Sequence, residues 1–310
     1  VSGASITEPG IYAMDAATYH ADPCRPMSLS STGARLLSGE CPAMFLHARQ
    51  QPVRKRAFDV GTAGHLMVLE PDLFEQQVVV VRGKTKDGRP SNGYQSADAI
   101  EQREAAYASG KTPLLPEEVE QVQAMRDAVW QDPIARLAFK DGATEQSLFW
   151  RDPEFGIWCR TRPDYFPRHG RRLVDYKTST SANPRDFERR VHDLGYHQQA
   201  AHYLDGYEAV TGERPDSFIF IVQAKTAPYL VSTCILDAVA IEIGRTINRY
   251  AKGVFAHCLA TDEWPSYRPD VAQRPRAFVV GLPAYAINQH EARVEAGDYE
   301  PPALPDRKAA

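Results

Sequence analysis

No stretch of this chain approaches the roughly 18 consecutive apolar residues that a membrane-crossing helix needs, so a spanning protein is not expected. Nothing at its start combines a basic segment with an apolar core, so secretion is not expected either. Cysteine is sparse. The five residues at 24, 41, 159, 234 and 258 leave one over after any pairing and include no Cys-x-x-Cys, which argues against a zinc ribbon. Only two of them lie beyond position 175, too few to supply a closing four-cysteine iron–sulphur cluster. A reducing, cytoplasmic setting fits this usage. Positive charge is not in excess: a net charge of -4 and a pI near 6.2 argue against a passive, non-specific nucleic-acid binder. An enzyme that gathers acidic ligands and keeps its Arg and Lys in one channel can still be acidic overall. Internal repeats are also missing.

What is present is the composition of a folded protein, 43% hydrophobic and 25% charged. The length of 310 residues permits one large α/β domain. One stretch organises the rest. In Leu173-Val174-Asp175-Tyr176-Lys177-Thr178-Ser179-Thr180 an apolar pair runs into alternating charge and then hydroxyls, which reads as a buried strand emerging at a polar site. Arg162-Pro163-Asp164-Tyr165-Phe166 offers a second carboxylate upstream. If the two segments pair across the turn 167–172, Asp164 and Asp175 can face one divalent cation. The strand period of two then puts Lys177 on the same face as Asp175. Such a set suits phosphodiester chemistry, because Mg2+ takes carboxylates, waters and substrate phosphate and an ammonium can orient the attacking water or offset transition-state charge. On these residues alone, an ordinary solvated hairpin remains the other reading.

The chain around this stretch divides readily. Hydroxyls at 28–32 are placed to cap a short helix, Pro42 opens another over 43–49, and Phe58, Ala63, Leu66, Met67 and Leu69 recur at helical spacing with His65 among them. Val78–Val81 reads as a strand. Residues 83–110 read as a mobile polar insert with a helix near 97–108, and Pro116 and Pro133 open two further helices. Strands at 145–150 and 156–161 would join the Asp175 strand in a three-stranded antiparallel platform, with Glu145 at its start. Pro184 opens a long helix that Gly195 kinks or divides, carrying Gln199 and Tyr203 on one face. Strands at 215–223 and 229–236 and a helix at 239–259 follow, then an extended Pro-bearing tail with a short segment at 277–280.

Taken together these segments resemble the PD-(D/E)xK nuclease superfamily, and within it the RecE-type exonucleases (exodeoxyribonuclease VIII) and their phage-encoded relatives. The resemblance rests on Gly61-Thr62-Ala63-Gly64-His65, on Glu145, on Arg162-Pro163-Asp164, on Asp175-Tyr176-Lys177 and on Gly195 through Tyr203. It implies an α/β (α+β) restriction-endonuclease-like core, a central mixed sheet flanked by helices. It implies a single nuclease domain over 1–270, with an N-terminal helical part and a polar insert near 83–115, and a Pro-rich tail over 271–310. By that resemblance His65, Asp164, Asp175 and the Tyr176 carbonyl hold Mg2+ or Mn2+, and Lys177 orients water. Gln199 and Tyr203 steady a phosphate and the lysine, while Glu145 joins the outer metal shell. The implied activity is 5′ to 3′ exonucleolytic hydrolysis of linear double-stranded DNA, in a ring-like homo-oligomer paired with a single-strand annealing protein. An endonuclease of the same superfamily and a non-catalytic recombination scaffold are the alternatives. The insert reads equally as a lid or a subunit contact.

Overall fold

Alternation along residues 172–179 places that segment at the centre of a sheet in the computed structural model of the chain, which describes residues 5–51, 59–91, 93–168, 172–267 and 277–301. Residues 1–267 form one compact unit and residues 268–310 a second. The N-terminal stretch contributes β1 (Gly10–Tyr12), α1 (Ala16–Ala21), β2 (Leu29–Ser30), α2 (Ser31–Gly39) and α3 (Pro42–Gln50). Ser30 caps α2, its hydroxyl accepting from the Gly33 amide, and Pro42 opens α3. Next come α4 (Asp59–Leu69), α5 (Pro71–Gln77), β3 (Val78–Val80), α6 (Ala97–Ala108), β4 (Thr112–Leu114), α7 (Pro116–Gln131) and α8 (Pro133–Ala138). Phe58 lies outside the described residues.

The second half holds β5 (Gly142–Thr144), β6 (Ser147–Arg151), β7 (Trp158–Thr161), β8 (Tyr165–Pro167), β9 (Arg172–Ser179), α9 (Pro184–Asp193), α10 (Tyr196–Thr211), β10 (Ser217–Ala224), β11 (Val231–Ile235) and α11 (Ala238–Thr261). A five-stranded mixed sheet runs in the order β11-β10-β9-β8-β5. β9 pairs parallel with β10, Asp175 opposite Phe220, and antiparallel with β8 through Tyr165 opposite Val174. The return from β9 to parallel β10 passes through α9 and α10, as a parallel pairing requires.

Both faces of this sheet are covered, which explains its near-continuous apolar runs. Leu173, Phe218, Phe220 and Val222 pack with Phe187, Ala200, Ala201 and Leu204 of α9 and α10. The alternate residues Val174, Tyr176, Ile219 and Ile221 pack with Val68 of α4, Val129 of α7 and Ala135 of α8. Burying each large side chain is worth about 1.5–3 kcal/mol. The fold is therefore fixed by β9 and β10, and the polar residues of β9 are left at its carboxyl end.

Three expectations change, and one, the division of the long helix at Gly195, is met. The three-stranded platform does not form: β6 and β7 belong to a separate four-stranded sheet in the order β1-β6-β7-β2. The chain leaves that sheet at Arg162-Pro163 and enters the other at Tyr165, and a proline without an N–H suits such a break in pairing. The insert is not a loose segment. Its two-stranded sheet of β3 and β4 and its Ser96-capped helix α6 are tied together, with the Arg82 amide donating to Gln102 and the Lys84 amide to Asp98. Gly195, at φ 65°, divides the long helix into α9 and α10. The second unit contains α12 (Ala284–Glu295) where an extended tail was expected. Its Ala, Gln, Glu and Arg content favours helix despite the flanking prolines. Residues 277–280 carry no regular structure. The turn residues 169–171 lie outside the described set.

Candidate active site

β9 presents Asp175 and Lys177 toward α10. Asp175 is fully buried, and its Oδ1 accepts from Gln199 Nε2 at 2.7 Å. Lys177 Nζ stands 2.6 Å from Asp175 Oδ2 as an ion pair, although that oxygen makes no hydrogen bond of regular geometry. The Tyr196 ring lies 5.2 Å from the same ammonium and is wedged against Phe187 and Phe220. Because α10 begins at Tyr196, Gln199 falls one turn later, and both face β9. Tyr203 packs edge-on to Phe218, one turn beyond Gln199. The aromatic residue against the lysine is thus Tyr196, not the expected Tyr203. An aromatic residue one turn before Gln199 is the signal that could have found it.

The second half of the site lies where β7 hands over to β8. Asp164 Oδ2 accepts from the Tyr176 amide at 2.7 Å and sits 3.1 Å from His65 Nε2. In an extended strand the N–H and C=O of one residue share an edge, so the Tyr176 carbonyl faces the Asp164 side. Glu145 is not within a strand but in a left-handed turn at φ 53°, its amide bonded to the Asp164 carbonyl. That turn aims Oε1 to 3.6 Å from His65 Nε2, and Oε2 accepts from Arg162. His65 reaches this edge because α4 lies close to β9: a Cβ at Gly61 would stand 3.0 Å from Thr178 Oγ1.

His65, Glu145 and Asp164 offer ligand atoms within 4.8 Å of one another. The structure therefore groups Glu145 with the histidine and the first aspartate, where the outer shell was expected. Asp175 stands beside this group, engaged by Lys177 and Gln199.

The charges of these groups conflict. Burial, then the neighbouring Asp164 charge, pushes Asp175 up to about 6 and Glu145 up to about 7, against the opposing pull of Lys177 or of His65 and Arg162. Asp164 goes down despite its burial, because His65 and Lys177 favour its charged form. Burial disfavours the His65 cation, yet Asp164 and Glu145 overcome it and lift the imidazole to about 9. Carboxylates crowded enough to resist ionising together are what a divalent cation would relieve. The donor set of one imidazole and carboxylate oxygens suits a divalent cation.

A cavity of about 550 Å³ opens beside Asp164 and Glu145. Arg49, Arg160 and Arg162 line it together with Ser30, Ser31 and Thr32 at the start of α2. Beneath it the buried Asp22 carboxylate lies 2.8 Å from both Arg49 and Arg160 and accepts from the Ser28 amide and hydroxyl. Arg160 and Arg162 are thus built into this cavity. Arg172, Arg185 and Arg189 are exposed, and Arg171 lies outside the described residues.

Residues 30–272 match the family model of a PDDEXK-like domain of unknown function, DUF3799. The chain belongs to this family. Pro163-Asp164 and Asp175-Tyr176-Lys177 correspond to the letters of the PDDEXK name. The domain's fold is also similar to the crystal structure of a candidate exonuclease from Eubacterium rectale, at 13% identity and a TM-score of 0.56 over 89% of this chain and 98% of that one. That likeness concerns the fold. No curated protein matches the chain. No described helix of this PDDEXK-like chain is long and apolar enough to cross a membrane.

Proposed function

We propose that this PDDEXK-like chain is a metal-dependent deoxyribonuclease that hydrolyses phosphodiester bonds of linear double-stranded DNA from the 5′ end. The observation that carries this reading is the histidine and carboxylate group of His65, Glu145 and Asp164 beside an ion-paired Asp175 and Lys177. His65, Asp164 and the Tyr176 carbonyl would hold Mg2+ or Mn2+, joined by Glu145 and by Asp175 from its neighbouring position. An ion held there would lower the pKa of a bound water and offset charge on the phosphoryl oxygens.

The side chains do the rest. Lys177, anchored between Asp175 and the Tyr196 ring, orients the attacking water and donates to the developing negative charge. Gln199 fixes the carboxylate that fixes the lysine, a positioning role at one remove from the reaction. Tyr203 lines the neighbouring cavity, where it would help to seat the substrate strand.

The cavity supports a preference for DNA ends. Three arginines and three hydroxyls at a helix start suit a terminal phosphate, and a pocket of this size accepts about one nucleotide. A ring-like homo-oligomer, an annealing-protein partner, a role in recombination and a cytoplasmic setting complete the proposal. They rest on the family resemblance and on cysteine usage.

The test is release of acid-soluble nucleotides from one plasmid, linear or covalently closed, with and without Mg2+, using 5′- and 3′-end labels. Metal-dependent loss of the linear form alone, from its 5′ end, supports the proposal. Nicking of the closed circle favours an endonuclease instead, and binding without cleavage in either metal refutes hydrolysis.

A further inference from the structure

The insert contains a feature that the site does not use. Residues 83–91 form a tight hairpin: the Thr85 amide donates to the Arg89 carbonyl at 2.8 Å, the Gly88 amide to the Thr85 carbonyl at 2.9 Å, and the Ser91 amide to the Gly83 carbonyl at 2.8 Å. Gly88, at φ 76°, supplies the left-handed residue that the turn requires. From Lys84 to Pro90 every residue is exposed, so the hairpin does not serve the core.

Its charge is one-sided. Arg82, Lys84, Lys86 and Arg89 stand against a single acid, Asp87, in a chain whose net charge is -4. Arg82 and Lys84 share a cleft with Glu117 and Glu120 of α7, which offsets them. Lys86 and Arg89 lie outside that cleft, and no ion pair engages either among the described residues. Two preorganised cations at the tip of a rigid turn are suited to a regular array of phosphates.

The hairpin's position is bounded by α6. Its base is tied to Asp98 in the first turn of that helix, and Tyr107 near the other end bonds Asp59 at the start of α4 at 2.6 Å. At about 1.5 Å per residue, α6 contributes about 14 Å of this path and α4 a further 9 Å or so before His65 is reached. With the Asp98, Tyr107 and Asp59 side chains and their hydrogen bonds added, this path bounds the base of the hairpin to within roughly 45 Å of the site, little more than one duplex turn.

We propose that the 83–91 hairpin is a second contact for duplex DNA, gripping the phosphate backbone through Lys86 and Arg89 away from the bond being cut. This rests on the nuclease reading, and the test separates the two. Binding of a duplex of about 30 base pairs is followed by fluorescence anisotropy without metal, over a range of salt, for the wild type and for Lys86→Gln/Arg89→Gln. Loss of two phosphate contacts predicts a salt-dependence slope shallower by about two and affinity lower by about ten-fold at moderate salt. Melting temperature should not move, since both side chains are exposed.

An unchanged slope with normal binding overturns the inference and would leave the hairpin free for another partner, such as an acidic protein surface. Wild-type hydrolysis of the same duplex with Mg2+, measured in parallel, tests the nuclease reading alone. Cleavage with an unchanged slope rejects only the hairpin contact, whereas a wild type that neither binds nor cleaves rejects both.

Discussion

Replacing Asp22 by asparagine should destabilise the protein by about 3 kcal/mol, chiefly through charge. Asp22 ends α1 in a left-handed conformation at φ 58°, which asparagine adopts readily, so the backbone need not move. With its carbonyl oxygen in the place of Oδ2, the asparagine still accepts from Arg49, Arg160 and the Ser28 amide. Its NH2 group can donate to the Ser28 hydroxyl, and gives up only the long 3.4 Å bond that Oδ1 accepts from the Cys24 amide. What disappears is the negative charge between two guanidinium groups, one with only 8% of its side chain exposed and the other 26%. Breaking a buried pair costs about 3–5 kcal/mol; the lower end applies because Arg160 keeps its bond to Ser28 and its Tyr19 contact. For a unit of this size that corresponds to a melting point lower by about 6–12 °C.

The pH dependence sharpens the test. Burial raises the Asp22 pKa, but Arg160 and the Ser28 hydrogen bonds outweigh it, and the carboxyl ends below its ordinary value. A depressed carboxyl stabilises the fold above about pH 4 and loses that effect as pH falls through its folded pKa. The gap between wild type and variant in thermal melts should therefore be full at pH 7 and close below about pH 4. A shift under about 2 °C at pH 7, or a gap that persists in acid, would refute the reasoning.

Lys177→Ala should reduce nucleotide release by about 10²–10⁴-fold while leaving duplex affinity largely intact; unchanged turnover removes the lysine from the mechanism. His65→Ala should raise the Mg2+ concentration for half-maximal activity by at least about ten-fold, with little change in melting point. Metal binding at pH 8 should release close to one proton, from the His65 imidazole lifted to about 9, and more at pH 7, where the Glu145 carboxyl pushed up to about 7 contributes as well; calorimetry in two buffers of different ionisation enthalpy reads this directly, and no release contradicts a ligand role. Gly244→Ala should destabilise by about 1–3 kcal/mol despite the better helix propensity of alanine. Its Cβ would stand 2.3 Å from the His197 carbonyl oxygen, so a thermal melt showing a gain would mean that α10 and α11 separate without cost.

Much of this was legible in the residues. The period of two in Asp175-Tyr176-Lys177 and the apolar run at 218–222 fixed β9, β10 and the face on which the lysine lies. Gly195 marked the break between α9 and α10. The sheet hand-over at Pro163 was not legible, since β7 and β8 are separated by only a few residues and each looks like a continuation of the other. Glu145 was read as a strand residue because its left-handed turn follows from tertiary contacts with Asp164, not from a local glycine. Tyr196 went unread because a cation–aromatic contact depends on two elements meeting. The Asp22 knot was invisible for the same reason: Arg160 and Ser28 are 132 residues apart.

That separation has a consequence during synthesis. Among the described residues β1 pairs with β6 and β2 with β7, so the first strands made cannot pair until the chain has grown past about residue 150 and residue 160 respectively. At roughly 5–20 residues per second, the 132 residues between Ser28 and Arg160 take about 7–26 seconds to emerge. Throughout that interval Leu29, later buried, has no sheet to cover it, and Phe45 waits longer still, for Phe255 and Trp264. The cavity beside the site, lined from Tyr19 to Tyr203, is likewise incomplete until α10 has been made.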